Sequence, residues 1–196
     1  MRRALSHGPH NDVVAALLIV TGPPGSGKSS VAPLIVEGFE RSVLVEGDAF
    51  FGFVARGSIT PWLPEANQQN EVITRAAAAA AGRYADGGFV TVYDGIVGPW
   101  FLPTFLTASG LRGLDYVVLL PAVERCLERM RTRRGHGFKD EQAALHMYRA
   151  FADADIDGRH VLHDPPDDLE EAAGVVVSAF RSGRLAYPAE RRPAPS

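Results

Sequence analysis

Residues 22–29 read GPPGSGKS, set between the apolar run VVAALLIV at 13–20 and the helix-like SSVAPLIVEGF at 29–39. The stretch fits G-x-x-x-x-G-K-[ST], with Gly22, Gly27, Lys28 and Ser29 at the required positions. Its residue types follow from the chemistry of a phosphate cradle. Glycines let the backbone curl so that successive N–H groups face inward, and the following helix adds its positive end. A lysine reaches the outer phosphates and a hydroxyl reaches Mg²⁺. Lys28 and Lys139 are the only lysines in the chain, so a lysine at this point is poorly explained by composition. Residues Gly22, Pro23, Pro24, Gly25, Ser26, Gly27, Lys28, Ser29 and Ser30 are therefore expected to hold ATP, with Ser29 on the metal.

Outward from the loop, short runs rich in Val, Leu and Ile recur at 13–20, 42–47, 88–95, 114–121 and 159–164. Each ends at Gly, Asp or Pro or within two residues of one, as buried parallel strands do. The intervening segments at 28–38, 65–85, 99–109, 122–134 with 140–154, and 167–181 are long enough for crossover helices. The pattern predicts an α/β domain over 13–183, a five-stranded parallel sheet with helices on both faces. Residues 1–12 and 184–196, rich in Pro, Arg and Ser, read as flexible ends. The run RAAAAAAGRYA reads as a long helix, because alanine has the highest helix propensity.

Composition narrows the function classes. A net charge of −3 supplies no broad basic surface for nucleic acid or an anionic membrane. The apolar run before the loop is too short to span a bilayer, and a lone cysteine, Cys126, excludes an internal disulfide. Six histidines show no zinc-ligand spacing. The expected setting is cytoplasmic, with no nucleic-acid or membrane partner; nothing in the sequence sets the oligomeric state.

In a parallel α/β sheet, ligands lie at the carboxyl ends of the strands. Asp48 follows VLVEG and Asp94 closes FVTVYD. A kinase acting on a hydroxyl needs one carboxylate to receive or orient the hydroxyl proton and another near Mg²⁺ beside Ser29. Asp48 is read as the base and Asp94 as the metal-side carboxylate, the exchanged assignment staying open, with Glu46 in reserve. In AVERCLERMRTRRGHGFKD, Arg125, Arg129 and Arg133 share a helical face, and two glycines and a basic cluster follow. This reads as an Arg-rich lid, with Arg129, Arg133 and Arg134 ahead of Arg125 for contact with the transferred phosphoryl group and Arg133 as the catalytic candidate.

Between the second and third strands, residues 49–75 offer Arg56 and Arg75 as their cations, whereas Phe50, Phe51, Phe53, Trp62, Asn67, Gln68, Gln69 and Asn70 dominate. That composition suits an acceptor that is neutral or carries a single anionic group. Phe50, Phe51, Trp62, Asn70, Asp94 and Trp100 are the expected acceptor-binding residues.

With GPPGSGKS, EGDAFF, VYDG, the Arg-rich helix and RHVLHD in view, the chain resembles small P-loop phosphotransferases acting on antibiotics and metabolites. Chloramphenicol phosphotransferase and tunicamycin-resistance-type ATP-binding proteins are the nearest types, gluconate and shikimate kinases more distant ones. The resemblance implies a P-loop NTPase fold of nucleoside/shikimate kinase type, Mg-ATP as donor, a substrate hydroxyl as acceptor with Asp48 as its base, and RHVLHD as the loop lining adenine. It implies an antibiotic-resistance enzyme or, as the alternative, a metabolic kinase for a sugar, polyol or cofactor precursor. After EGD the gluconate kinase pattern continues His-Pro where this chain has AFF, and a shikimate-kinase-like arginine cluster is missing. An ATP-driven regulatory switch is the rival outside enzymes, while a GTPase is excluded because no Asn-Lys-x-Asp motif exists.

Overall fold

The computed structural model describes residues 16–132 and 140–188. Strand β1 (Ala16–Thr21) runs into the glycine-rich loop and then helix α1 (Lys28–Glu37). There follow β2 (Ser42–Glu46), α2 (Gly47–Gly52), a 3₁₀ turn (Pro64–Ala66), α3 (Asn67–Asp86), β3 (Val90–Asp94), α4 (Leu102–Ser109), β4 (Leu114–Leu120) and α5 (Val123–Thr132). Beyond residue 139 come α6 (Glu141–Ala152), β5 (Val161–His163), α7 (Leu169–Arg181) and β6 (Ala186–Tyr187). The five expected strands are all present and parallel, in the order β2-β3-β1-β4-β5.

Burial of both faces explains the near-continuous apolar strands. Along β1, Leu18 and Val20 enter the core under α1 and α7, whereas Leu17 and Ile19 enter the one under α3, α4 and Phe151 of α6. Period-two alternation thus feeds two cores from one strand. The alanine-rich helix has a packing reason as well: Ala77, Ala78, Ala81 and Ala85 are buried, and Gly82 lets α3 approach α4 closely. A methyl on Gly82 would lie 2.0 Å from the Ser109 carbonyl oxygen, whereas one on Gly174 in α7 would meet nothing within 4 Å. Gly82→Ala is therefore expected to destabilise the fold by about 1–3 kcal/mol, as overpacking does. Gly174→Ala should stabilise it by about 0.5–1 kcal/mol through helix propensity. Urea midpoints of the two variants check the opposed signs.

Two features depart from the sequence reading. The sheet has a sixth, antiparallel strand, and it lies in the 184–196 tail expected to be flexible. Leu185 is buried, and Leu114 and Asp115 of β4 pair with Tyr187 and Ala186. The cause is geometric: β5 covers only Val118–Leu120 of that edge, which leaves the start of β4 open for another strand. Residues 1–15 and 189–196 lie outside the described part. The second departure is α2, which places Asp48 in the first turn of a helix rather than at a bare strand end. Among the described residues, no helix is long and apolar enough to cross a membrane.

His160 sits beneath β6, 4% exposed, its Nδ1 2.9 Å from the Tyr116 carbonyl oxygen and its ring edge-on to Tyr116 and Tyr187. Burial holds its pKa below the ordinary histidine value, partly offset by the bond to Tyr116. Between the folded and unfolded pKa the unfolded chain binds more protons, so this contribution is complete above the ordinary histidine range and is lost as pH falls through and below it. Urea unfolding at pH 7.5 and 5.5 should show a smaller acid loss in His160→Gln than in the wild type.

Candidate active site

The turn after β1 is fixed by close approaches that only glycine permits. Gly22 and Gly25 have φ of 147° and 79°, and a methyl on them would stand 2.3 Å from the Leu119 oxygen and 2.2 Å from the Cys126 oxygen. The loop is thereby pressed against the end of β4 and the start of α5. The amides of Ser26 and Ser30 are taken by the carbonyls of Pro23 and Gly27. The first turn of α1, beginning at Lys28, presents N–H groups that have no intrahelical partner. Such a cup suits phosphate.

It opens into a cleft of about 920 Å³. Pro24, Gly25, Gly27, Lys28, Ser29 and Ser30 form one wall, and Asp48, Phe51, Trp62, Asn70, Trp100 and Arg129 contribute to the others. Gly22, Pro23 and Ser26 shape the loop from behind. Ser26 is buried and its Oγ has no hydrogen-bond partner.

Asp94 ends β3 between β1 and β2, in register with Val20 and Glu46. That register brings it next to the loop leaving β1. Burial pushes its carboxyl above the ordinary range, while Lys28 and a hydrogen bond from Ser29 pull it back. Its Oδ1 is buried without a hydrogen-bond partner. Asp94 thus stands behind Ser29 rather than on the cleft wall, and its expected place in the acceptor site gives way to one on the phosphate side. A serine hydroxyl and a carboxylate with an unused oxygen are an oxygen donor set that fits Mg²⁺.

Tyr93 was not anticipated. It lines the cleft and is 4% exposed, with its ring edge against Phe105. Burial, then the charges of Asp48 and Asp94, push its phenol pKa up, so the hydroxyl keeps its proton. Phe101 joins Trp100 on the wall, as the GIVGPWF stretch after β3 suggests, while Ile73 and Thr74 of α3, Ile96 after β3, Met130 of α5, and His146, Met147 and Ala150 of α6 were not anticipated there. The α6 residues fall on one face at helical spacing. That pattern was visible in the sequence, but nothing there indicated that α6 would lie over the cleft.

Other expected residues take different places. Phe50 packs on the core beside Phe53 (centroids 5.3 Å apart) instead of facing the acceptor wall, because the turn of α2 points Phe51 to the cleft. Gln69 exchanges two hydrogen bonds with the Ile59 backbone (2.7 and 2.8 Å), and Asn70 Nδ2 donates to the Pro61 oxygen at 2.6 Å. These amides pin the loop that carries Trp62. Arg129 lies against the phosphate loop, its Nη1 3.4 Å from where a Gly27 methyl would be, and pairs at 3.4 Å with Asp167, which Arg125 also meets at 3.1 Å. Arg131 makes a two-pronged bond to Glu141 at 2.6 and 2.7 Å. Arg133, Arg134 and Lys139, the core of the expected lid, lie outside the described residues. Of RHVLHD, expected to line adenine, no residue is on the cleft wall: Asp164 Oδ1 accepts from the Ala122 amide, and the wall is reached only at Asp167 and Leu169.

No protein-family model matches the chain, and no curated protein matches it in sequence. Solved structures do match in fold. A sugar kinase from Janibacter sp. HTCC2649 aligns with TM-score 0.65 at 18% identity, over 85% of this chain and 95% of its own. A gluconokinase from Sinorhizobium meliloti 1021 aligns with TM-score 0.60 at 21% identity, over 86% and 93%. The tunicamycin resistance protein of Deinococcus radiodurans gives 0.60 at 14%, over 85% and 95%. This chain therefore has the fold of the P-loop kinases, a parallel α/β sheet with helices on both sides.

Proposed function

We propose that this chain is an ATP-dependent phosphotransferase that transfers a phosphoryl group to a hydroxyl of a small molecule, with an antibiotic as acceptor and resistance as its role, in the manner of the chloramphenicol- and tunicamycin-type proteins it resembles. The observation that carries this reading is that the phosphate loop and Asp48 open into one cleft whose wall, away from Arg129 and Asp167, is mainly aromatic and aliphatic with Asn70, Thr74 and His146 among its polar members. Loop amides, the Lys28 amine and the Arg129 guanidinium hold the triphosphate and offset charge on the transferred group. Magnesium, which Ser29 and Asp94 would hold, neutralises phosphate charge when bound. Asp48 takes the proton of the acceptor hydroxyl as the new O–P bond forms and the bond from the γ-phosphorus to its bridging oxygen breaks, releasing ADP. The position of Asp94 behind Ser29 supports the order in which Asp48 is base and Asp94 metal-side carboxylate. The enzyme would work in the cytoplasm.

The test is a mass-spectrometric search for an added phosphoryl group after incubating hydroxylated antibiotics and sugars with the protein and Mg-ATP. A phosphorylated antibiotic is the expected product, and a phosphorylated sugar alone would move the role to metabolism. Tight Mg-ATP binding with no transfer to any panel member would overturn the kinase reading in favour of a switch.

A further inference from the structure

The charged side chains on the cleft wall, Lys28, Asp48, Arg129 and Asp167, surround the phosphate loop and the transfer point. Away from them the described part of the wall is mainly Trp62, Ile73, Trp100, Phe101 and Met147, with Asn70, Thr74 and His146 among its polar members. Arg56, Arg75 and Arg83, the arginines between β2 and β3, are not on that wall, and Arg75 is paired with Glu71 at 2.8 Å. An anionic acceptor would leave water there without a fixed guanidinium among the described residues to meet it, which is costly.

At the reacting end of this chamber stands the Tyr93 hydroxyl. A methyl on Gly47 or Gly95 would lie 2.3 or 2.8 Å from Oη, so the hydroxyl is lodged between the residues next to Asp48 and Asp94. It makes no hydrogen bond among the described residues, although it lines the cleft. A hydroxyl so placed supplies one donor beside the carboxylate of Asp48, which accepts.

We infer, resting on the phosphotransferase reading, that the acceptor is an uncharged, ring-bearing alcohol, its ring on Trp62 and Trp100 and one of its oxygens fixed by a hydrogen bond from Tyr93 Oη. Tyr93 only orients the acceptor; the proton of the reacting hydroxyl goes to Asp48, and the electron pair of the broken O–P bond leaves with ADP.

The chain's two tryptophans both lie on this wall, so intrinsic fluorescence reads its occupancy directly. The probes are p-nitrophenyl β-D-glucoside and p-nitrophenyl β-D-glucuronide, which share ring and sugar and differ by a carboxylate. The glucoside should quench with an affinity at least about tenfold tighter than the glucuronide at pH 6, 7 and 8. Tyr93→Phe should weaken glucoside binding about tenfold, one hydrogen bond's worth, and leave Mg-ATP affinity unchanged. Equal or tighter binding of the glucuronide at any of the three pH values, absence of quenching by the glucoside, or an unchanged glucoside affinity in Tyr93→Phe would overturn the proposal. Should that variant not fold, the charge preference of the wild type still decides. A glucoside that binds as expected while no acceptor is ever phosphorylated would sink the kinase reading and leave the uncharged chamber standing.

Discussion

Asp48→Asn is expected to lower phosphoryl transfer about 10²–10⁴-fold, the usual worth of a general base, with Mg-ATP affinity at the wild-type value. The carboxylate faces the cleft from the first turn of α2, whereas the phosphate loop follows the end of β1 and Asp94 ends β3, where the proposed nucleotide would lie. Asparagine keeps the shape and removes the proton acceptor, so the loss should fall on kcat. Asp94→Asn should instead weaken the magnesium dependence, because Asp94 accepts from Ser29 rather than facing the acceptor. Steady-state kinetics with any acceptor from the screen, with magnesium varied, separates the two. Near wild-type turnover in Asp48→Asn would remove it from the base role.

The second large effect is Gly25→Ala, which should weaken Mg-ATP binding on the order of 100-fold, the scale on which a displacement of about 1 Å acts in a preorganised site. Two costs add. Alanine at φ of 79° is strained by about 1–2 kcal/mol, and its methyl would lie 2.2 Å from the Cys126 oxygen, which is backbone and can move only by shifting α5. Gly57→Ala is the control: its φ is 75°, yet nothing lies within 4 Å of the added methyl. It should carry the strain alone and leave nucleotide affinity intact. Calorimetric titration of Mg-ATP into both variants measures the difference.

The phosphate loop was legible because its chemistry needs particular residue types at fixed spacing, and GPPGSGKS supplies them in eight consecutive positions. Five strands were legible because burial on both faces leaves short apolar runs with turn residues at their ends. α2 was not, since GDAFFG is six residues with no side-chain cap at Glu46, too short for a periodic signal. β6 was hidden for a similar reason: a two-residue strand exists only because β5 leaves part of the β4 edge open. Tyr93 read as an ordinary strand residue. Its importance comes from Gly47 and Gly95, which make room for the hydroxyl only once β2 and β3 are paired. The bonds of Gln69 and Asn70 to the backbone of Ile59 and Pro61 were not legible, since the loop they tie down meets α3 only in the fold; Asn70 lines the cleft as well.

The most direct measurement is a crystal structure with Mg²⁺ and a non-hydrolysable ATP analogue. The account predicts the triphosphate on the amides of the 24–29 loop, the metal beside Ser29 and Asp94, and the γ-phosphorus facing the Asp48 carboxylate across the mouth of the Trp62–Trp100 chamber. A nucleotide bound elsewhere, or an Asp48 side chain turned away from the γ-phosphate, would contradict it.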